Sequence, residues 1–120
     1  MTFSYLASPY SHCNKEIEAF RYTLALRATR WLISKRHWCY SPIVHCHDMS
    51  LQHDLPGDHI FWRDFNEAMI SASKGIVVLT IDGWKESKGI AHELEYAKAL
   101  KLPVAYMQPI EAHYRLKESP

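Results

Sequence analysis

Short apolar runs alternate along this chain with longer stretches whose apolar residues recur every third or fourth position, a pattern that predicts βαβ units around a parallel sheet. Phe3 to Ala7 reads as the first strand, ended by Ser8-Pro9-Tyr10-Ser11. Asn14 can cap a helix in which Ile17, Phe20, Leu24, Ala28, Trp31 and Leu32 share a face, with Glu16 and Glu18 near its positive end, running to about Lys35. Trp38 to Ser41 gives a second strand closed by Pro42, and Ile43 to Pro56 an irregular, His-rich segment. Asp58 is placed to cap a helix through Ser73 with Ile60, Phe61, Phe65, Ala68, Met69 and Ala72 inward. Gly75 to Ile81 is almost continuously apolar, as expected of a strand buried on both faces at the centre of the sheet. A helix carrying Glu93 follows Asp82-Gly83-Trp84-Lys85-Glu86, a strand over Val104 to Met107 follows Pro103, and Gln108 to Pro120 reads as a terminal turn or arm. The expectation is a doubly wound α/β domain with four or five parallel strands.

Length and composition narrow this further. With 120 residues, 48% of them apolar, the chain can bury one real core and has no room for a second domain. Fourteen basic against thirteen acidic residues leave a formal charge of +1, too weak a field for duplex nucleic acid or an anionic membrane to be the main partner, while a small anionic ligand stays open. Cys13, Cys39 and Cys46 are odd in number and lack CxxC spacing, which fits reduced thiols. Residues 1–7 carry neither a basic n-region nor a long apolar run, so the expected compartment is the cytoplasm.

In an open α/β sheet ligands bind beyond the carboxyl ends of the strands. That rule gathers Tyr5, Ser8, Pro9, Tyr10 and Ser41 with Asp82, Gly83, Trp84, Ser87, Gly89 and Glu93. Helical spacing puts Glu93 on the same side as Ile90, Ala97 and Leu100, whereas Glu95 falls with Ala91, Lys98 and Ala99 on a flank open to water. Asp64, between Phe61 and Ala68, repeats the oddity on the preceding helix. Carboxylates kept on inward faces suit glycosidic bond cleavage, one attacking the anomeric carbon and the other handling a proton or the sugar; the bland alternatives are a Glu at the rim of the stripe and an Asp paired with Arg27 or Arg30. Ser87 and Gly89 at a helix start form an anion site or an ordinary cap. Trp84, after Gly83 in a loop, is a candidate to stack on a base. The rival signal is His45-x-His47: in an extended segment both imidazoles would project to one side and chelate a metal with Asp48, His53, Asp54 or His59, making a metal-dependent hydrolase.

Taken together, Tyr5-Leu6-Ala7-Ser8-Pro9-Tyr10-Ser11, Ser41-Pro42-Ile43 with His45 and His47, Trp62 and Asp64, Gly83-Trp84 with Ser87, and Gly89-Ile90-Ala91-His92-Glu93-Leu94-Glu95-Tyr96-Ala97 resemble the nucleoside 2-deoxyribosyltransferase-like superfamily. Within it they are most similar to an uncharacterised bacterial and phage family described only as a domain of unknown function. The resemblance implies a flavodoxin-like, three-layer αβα fold and cleavage of the N-glycosidic bond of a nucleoside or nucleotide, with no cofactor. It assigns Glu93 as nucleophile, Asp64 as a contact to sugar or base, Tyr5 as a neighbour of the nucleophile and Ser87 as a 5′-phosphate ligand, which favours a nucleoside monophosphate. It also implies a homo-oligomer, for which Trp38, Trp62 and Tyr114 are available aromatics. Two departures stand out: Glu95 occupies the place of a glycine, and Ser8-Pro9-Tyr10-Ser11 replaces a Gly-rich loop. A module that binds or senses nucleotide without turnover is the non-enzymatic alternative.

Overall fold

A computed structural model describes residues 2–52, 55–56 and 58–109, so His53, Asp54 and Tyr114 lie outside the described residues, as does the arm from 110 onward. The elements run β1 (Ser4–Ala7), α1 (Lys15–Ser34), β2 (Cys39–Tyr40), α2 (Pro42–Gln52), α3 (His59–Ala72), β3 (Ile76–Leu79), α4 (Lys88–Ala99) and β4 (Val104–Met107). The strands form one parallel sheet in the order β2-β1-β3-β4, a flavodoxin-like α/β arrangement with four strands among the described residues. Chain order reverses between β1 and β3, whose register pairs Tyr5 with Ile76 and Ala7 with Val78.

Alternation along the strands builds two cores. Tyr5, Ala7, Ile76 and Val78 face Ile70 of α3 and Ile90 and Ala97 of α4. Leu6 and Leu79 face the other way, onto Leu24 and Ala28 of α1. From Tyr5 to Ala7 and from Ile76 to Leu79 the central pair therefore places hydrophobic side chains on both faces, as a sheet covered on both sides requires.

The helix starts are set locally. Asn14 Oδ1 accepts from Glu16 N at 2.8 Å and Asp58 Oδ1 from Phe61 N at 2.9 Å, the caps expected for α1 and α3, and Ser87 Oγ accepts from Ile90 N at 3.1 Å, the cap that is one of its two readings. The segment after Ser41 departs from expectation. It is a helix, not irregular, because Ser41 Oγ accepts from Val44 N at 3.1 Å and Pro42 stands at the first helical position, where its fixed φ suits the helix and its missing N–H costs nothing.

The phase of α3 also departs from expectation. Its inner residues are Trp62, Ile70 and, partly, Asn66 and Met69, while Ile60, Phe61 and Phe65 are about half exposed and Ala68 and Ala72 face outward. In α1, Phe20 is likewise exposed and Ala25 and Thr29 are buried in its stead. No helix among the described residues is long and apolar enough to cross a membrane.

Candidate active site

Glu93 sits in the second turn of α4, 8% exposed, on the side that Ile90 and Ala97 bury against the sheet. Tyr5, fully buried in β1, donates its hydroxyl to Glu93 Oε2 at 2.5 Å. Burial raises the carboxyl from its ordinary range to about 7, with the Tyr5 hydrogen bond pulling the other way. The Tyr5 phenol is pushed far up, by burial first and then by the charge of Glu93, so it stays a proton donor throughout the physiological range. Glu95, on the flank, is exposed.

Glu93 opens onto a cavity of about 580 Å³ at the carboxyl ends of β1 and β3, within the range of small-molecule sites. The loop after β1 contributes Ser8, Tyr10, Ser11 and His12, and α1 adds Arg21. From α2 come Pro42, Ile43 and Cys46; from the start and inner face of α3 come Asp58, His59, Trp62 and Asn66. Gly83, Glu86 and Ser87 of the loop after β3, with Lys88 and Gly89 of α4, complete the wall. Two polar atoms in it are buried without a hydrogen-bond partner among the described residues, Ser8 Oγ and Asn66 Oδ1. Buried polar atoms are normally satisfied, and each of these would reach a ligand or water in the cavity only after its side chain turns. Burial lifts the Tyr10 phenol to about 12 and the Cys46 thiol to about 11, so neither is ionised near neutrality.

Of the residues expected at the site, Ser8, Tyr10, Gly83, Ser87, Gly89 and Glu93 line the cavity, and Tyr5 stands directly behind Glu93. The others are elsewhere. Asp64 is exposed and off the cavity: the inner face of α3 is one of Trp62, Asn66 and Ile70, so the expected pairing of Glu93 with Asp64 is absent. Pro9 is buried under the loop, Asp82 is exposed, and Ser41 caps α2. Trp84 packs on the core and lies 5.5 Å from the Tyr106 ring, with Lys85 over its face, rather than lining the cavity. The helical form of α2 separates the two histidines, since residues two apart on a helix diverge. His47 is buried, stacked 3.9 Å from Tyr22 and hydrogen-bonded at Nδ1 to Tyr10 Oη at 2.7 Å. His45 is exposed and stacks 5.1 Å from Phe65. The chelate expected of His45-x-His47 is therefore not formed, and no group of three His, Cys, Asp or Glu side chains among the described residues is placed to hold a metal. Trp62, one of the aromatics expected to be available to an interface, lines the cavity and donates Nε1–H to the Pro56 carbonyl at 2.7 Å.

Sequence reasoning overlooked His12, Arg21, Cys46, Asn66, Glu86 and Lys88 as site residues. Asn66 left a trace: with Ser73 it is a polar member of the Trp62-Asn66-Ile70-Ser73 face, a face hidden by the stronger apolar stripe beside it.

Residues 2–109 match the family described as a domain of unknown function, DUF1937. The chain belongs to that family. The match spans every residue named in the cavity, so the site is part of the DUF1937 domain itself. No curated protein matches the sequence.

Proposed function

We propose that this DUF1937 protein cleaves the N-glycosidic bond of a nucleoside 5′-monophosphate with Glu93 as nucleophile. The observation that carries the reading is a desolvated carboxyl, bonded at one oxygen by a buried phenol, at the floor of a cavity the size of a nucleotide. Similarity of the Tyr5, Ser87 and Glu93 motifs to the nucleoside 2-deoxyribosyltransferase-like superfamily supports it further.

Tyr5 holds Oε2, which leaves Oε1 to attack C1′ while the base departs with the electron pair of the C1′–N bond. The product is a glycosyl ester of Glu93. Water, whose proton passes to the departed base, or a second base then attacks C1′, and Glu93 leaves as carboxylate. Tyr5 does two things here: it orients the carboxyl and offsets part of the burial that would keep it protonated. Asn66, the side-chain amide of α3 in the cavity wall, meets the sugar or the base. Ser87 and the first N–H groups of α4 receive the 5′-phosphate, where the helix dipole favours an anion. No step requires a cofactor.

The exposed Ile60, Phe61 and Phe65 beside the cavity wall support a homo-oligomer in which a neighbour covers α3, and the three free cysteines are consistent with a cytoplasmic protein. Sedimentation at micromolar concentration checks the first; a sharp monomer rejects it.

The decisive experiment incubates the protein with a panel of ribo- and deoxyribonucleoside 5′-monophosphates and their nucleosides and measures free base by chromatography. Base released by wild type and not by Glu93→Gln is the expected result. Tight binding without release would instead favour a sensing module, and no binding at all would reject both. Ser87→Ala should weaken monophosphates and spare nucleosides; equal losses would remove it from the phosphate.

A further inference from the structure

We propose that Arg21 is the cation that reads the anionic group of the ligand, and that Gly83 is the socket that holds it in place. The inference rests on the nucleotide reading above and adds to it a charged specificity residue from α1.

Of the lysine and arginine side chains that line the cavity, Lys88 is exposed, whereas Arg21 is half-buried and fixed. Its Nη1 donates to the Ser11 carbonyl at 3.0 Å and the Tyr10 carbonyl at 3.4 Å. Its Nη2 lies against Gly83, so that a methyl group there would overlap Nη2 and stand 3.1 Å from Cζ. Gly83 has φ +93°, a conformation side-chain-bearing residues rarely adopt, so the turn both admits the guanidinium and requires glycine. Arg21 thereby bridges the loops after β1 and β3, the two strands flanking the reversal in strand order.

Arg21 forms no ion pair among the described residues; its partners are neutral carbonyl oxygens. A partly desolvated guanidinium normally meets a carboxylate or phosphate, and Nε and the Nη2 hydrogens remain available for one. A second observation points the same way. Ser8, 6% exposed, has its Oγ buried and unsatisfied in the wall of the same cavity. A guanidinium without an ion pair among the described residues, a wall serine whose hydroxyl has no partner and the N-terminus of α4 around one cavity fit a phosphate monoester better than a neutral ligand.

The test uses wild type, Arg21→Lys, Arg21→Gln and Gly83→Ala, each checked for native circular dichroism, and measures calorimetric binding of inorganic phosphate, nucleoside 5′-monophosphates and the matched nucleosides. Arg21→Gln should weaken monophosphates and phosphate roughly ten- to a hundredfold and leave nucleosides within about twofold. Arg21→Lys should fall between, since it keeps the charge and loses the fork. Gly83→Ala should follow Arg21→Gln, because the methyl evicts the guanidinium. Monophosphate affinity unchanged in Arg21→Gln, nucleosides weakened equally, or a wild type that binds no phosphate-bearing compound would each overturn the proposal. Arg21-dependent binding without base release would leave Arg21 standing and sink the glycosidase; base release indifferent to Arg21 would do the reverse.

Discussion

Helices α3 and α4 lie side by side over the same face of the sheet, and they treat their acidic residues in opposite ways. On α4, Glu93 is drawn under the apolar stripe and bonded to Tyr5; on α3, Asp64 is exposed and the place facing the cavity goes to the neutral Asn66. Both carboxylates have apolar residues at helical spacing, Phe61 and Ala68 for Asp64 and Ile90 and Ala97 for Glu93, so that spacing does not decide burial. A partner does: Glu93 has a phenol from the adjacent strand, and an inward Asp64 would have needed one of its own.

The largest effect that tests this contrast is on turnover. Glu93→Gln should lower base release by at least about a thousandfold, while Asp64→Asn stays within about twofold. An inactive Asp64→Asn would erase the distinction between the helices. Next comes stability. Glu93 has its folded-state value raised from the ordinary range to about 7, so its protonated form stabilises the fold below about pH 4.5 and that contribution is lost as pH rises through about 7. Glu93→Gln should therefore be more stable than wild type above pH 7, by up to roughly 3 kcal/mol, with the gap closing below pH 4.5. Urea melts at pH 8 and pH 4 read this, and a variant less stable at pH 8 would contradict the burial of a costly charge.

Smaller again is Tyr5→Phe. Losing the donor removes the one influence that lowers the Glu93 value, so the acid limb of the rate profile, expected near pH 7 in wild type, should move to higher pH. At neutral pH the rate should drop by roughly ten- to a hundredfold. An unshifted limb would mean that Tyr5 does not govern the protonation of Glu93. The smallest effect sharpens the comparison within α4: Glu95→Gln should change rate and stability by no more than about 0.5 kcal/mol.

Much of this was legible from the chain because the signals are local. Asn14 and Asp58 announce helix starts, the run from Ile76 to Leu79 announces a strand covered on both faces, and the phase of Glu93 follows from Ile90 and Ala97. Where two local meanings compete, the sequence was ambiguous. Ser41-Pro42 ends a strand and also starts a helix, and only the Val44 N–H on Ser41 Oγ selects the second. For α3 the stronger stripe misled, because Ile60, Phe61 and Phe65 outweigh Trp62 and Asn66 in hydrophobicity while staying about half exposed. A hydrophobic pattern says that a face wants cover and not what covers it. Arg21 was invisible for another reason: its contacts are to the backbone of Tyr10 and Ser11 and to the empty side of Gly83, none of which leaves a pattern in residue type.

The Tyr5–Glu93 hydrogen bond joins positions 88 residues apart. Tyr5 is synthesised well before its partner, which emerges only after both helices of the long β2–β3 connection and most of the sheet have been made. Contacts this distant in sequence form late, after the closer pairings have reduced the entropy of closing the loop. Until then Glu93 is an ordinary solvated carboxylate with an ordinary affinity for protons. The tuned acid is consequently a property of the finished fold alone, and an incomplete chain has no means of displaying it.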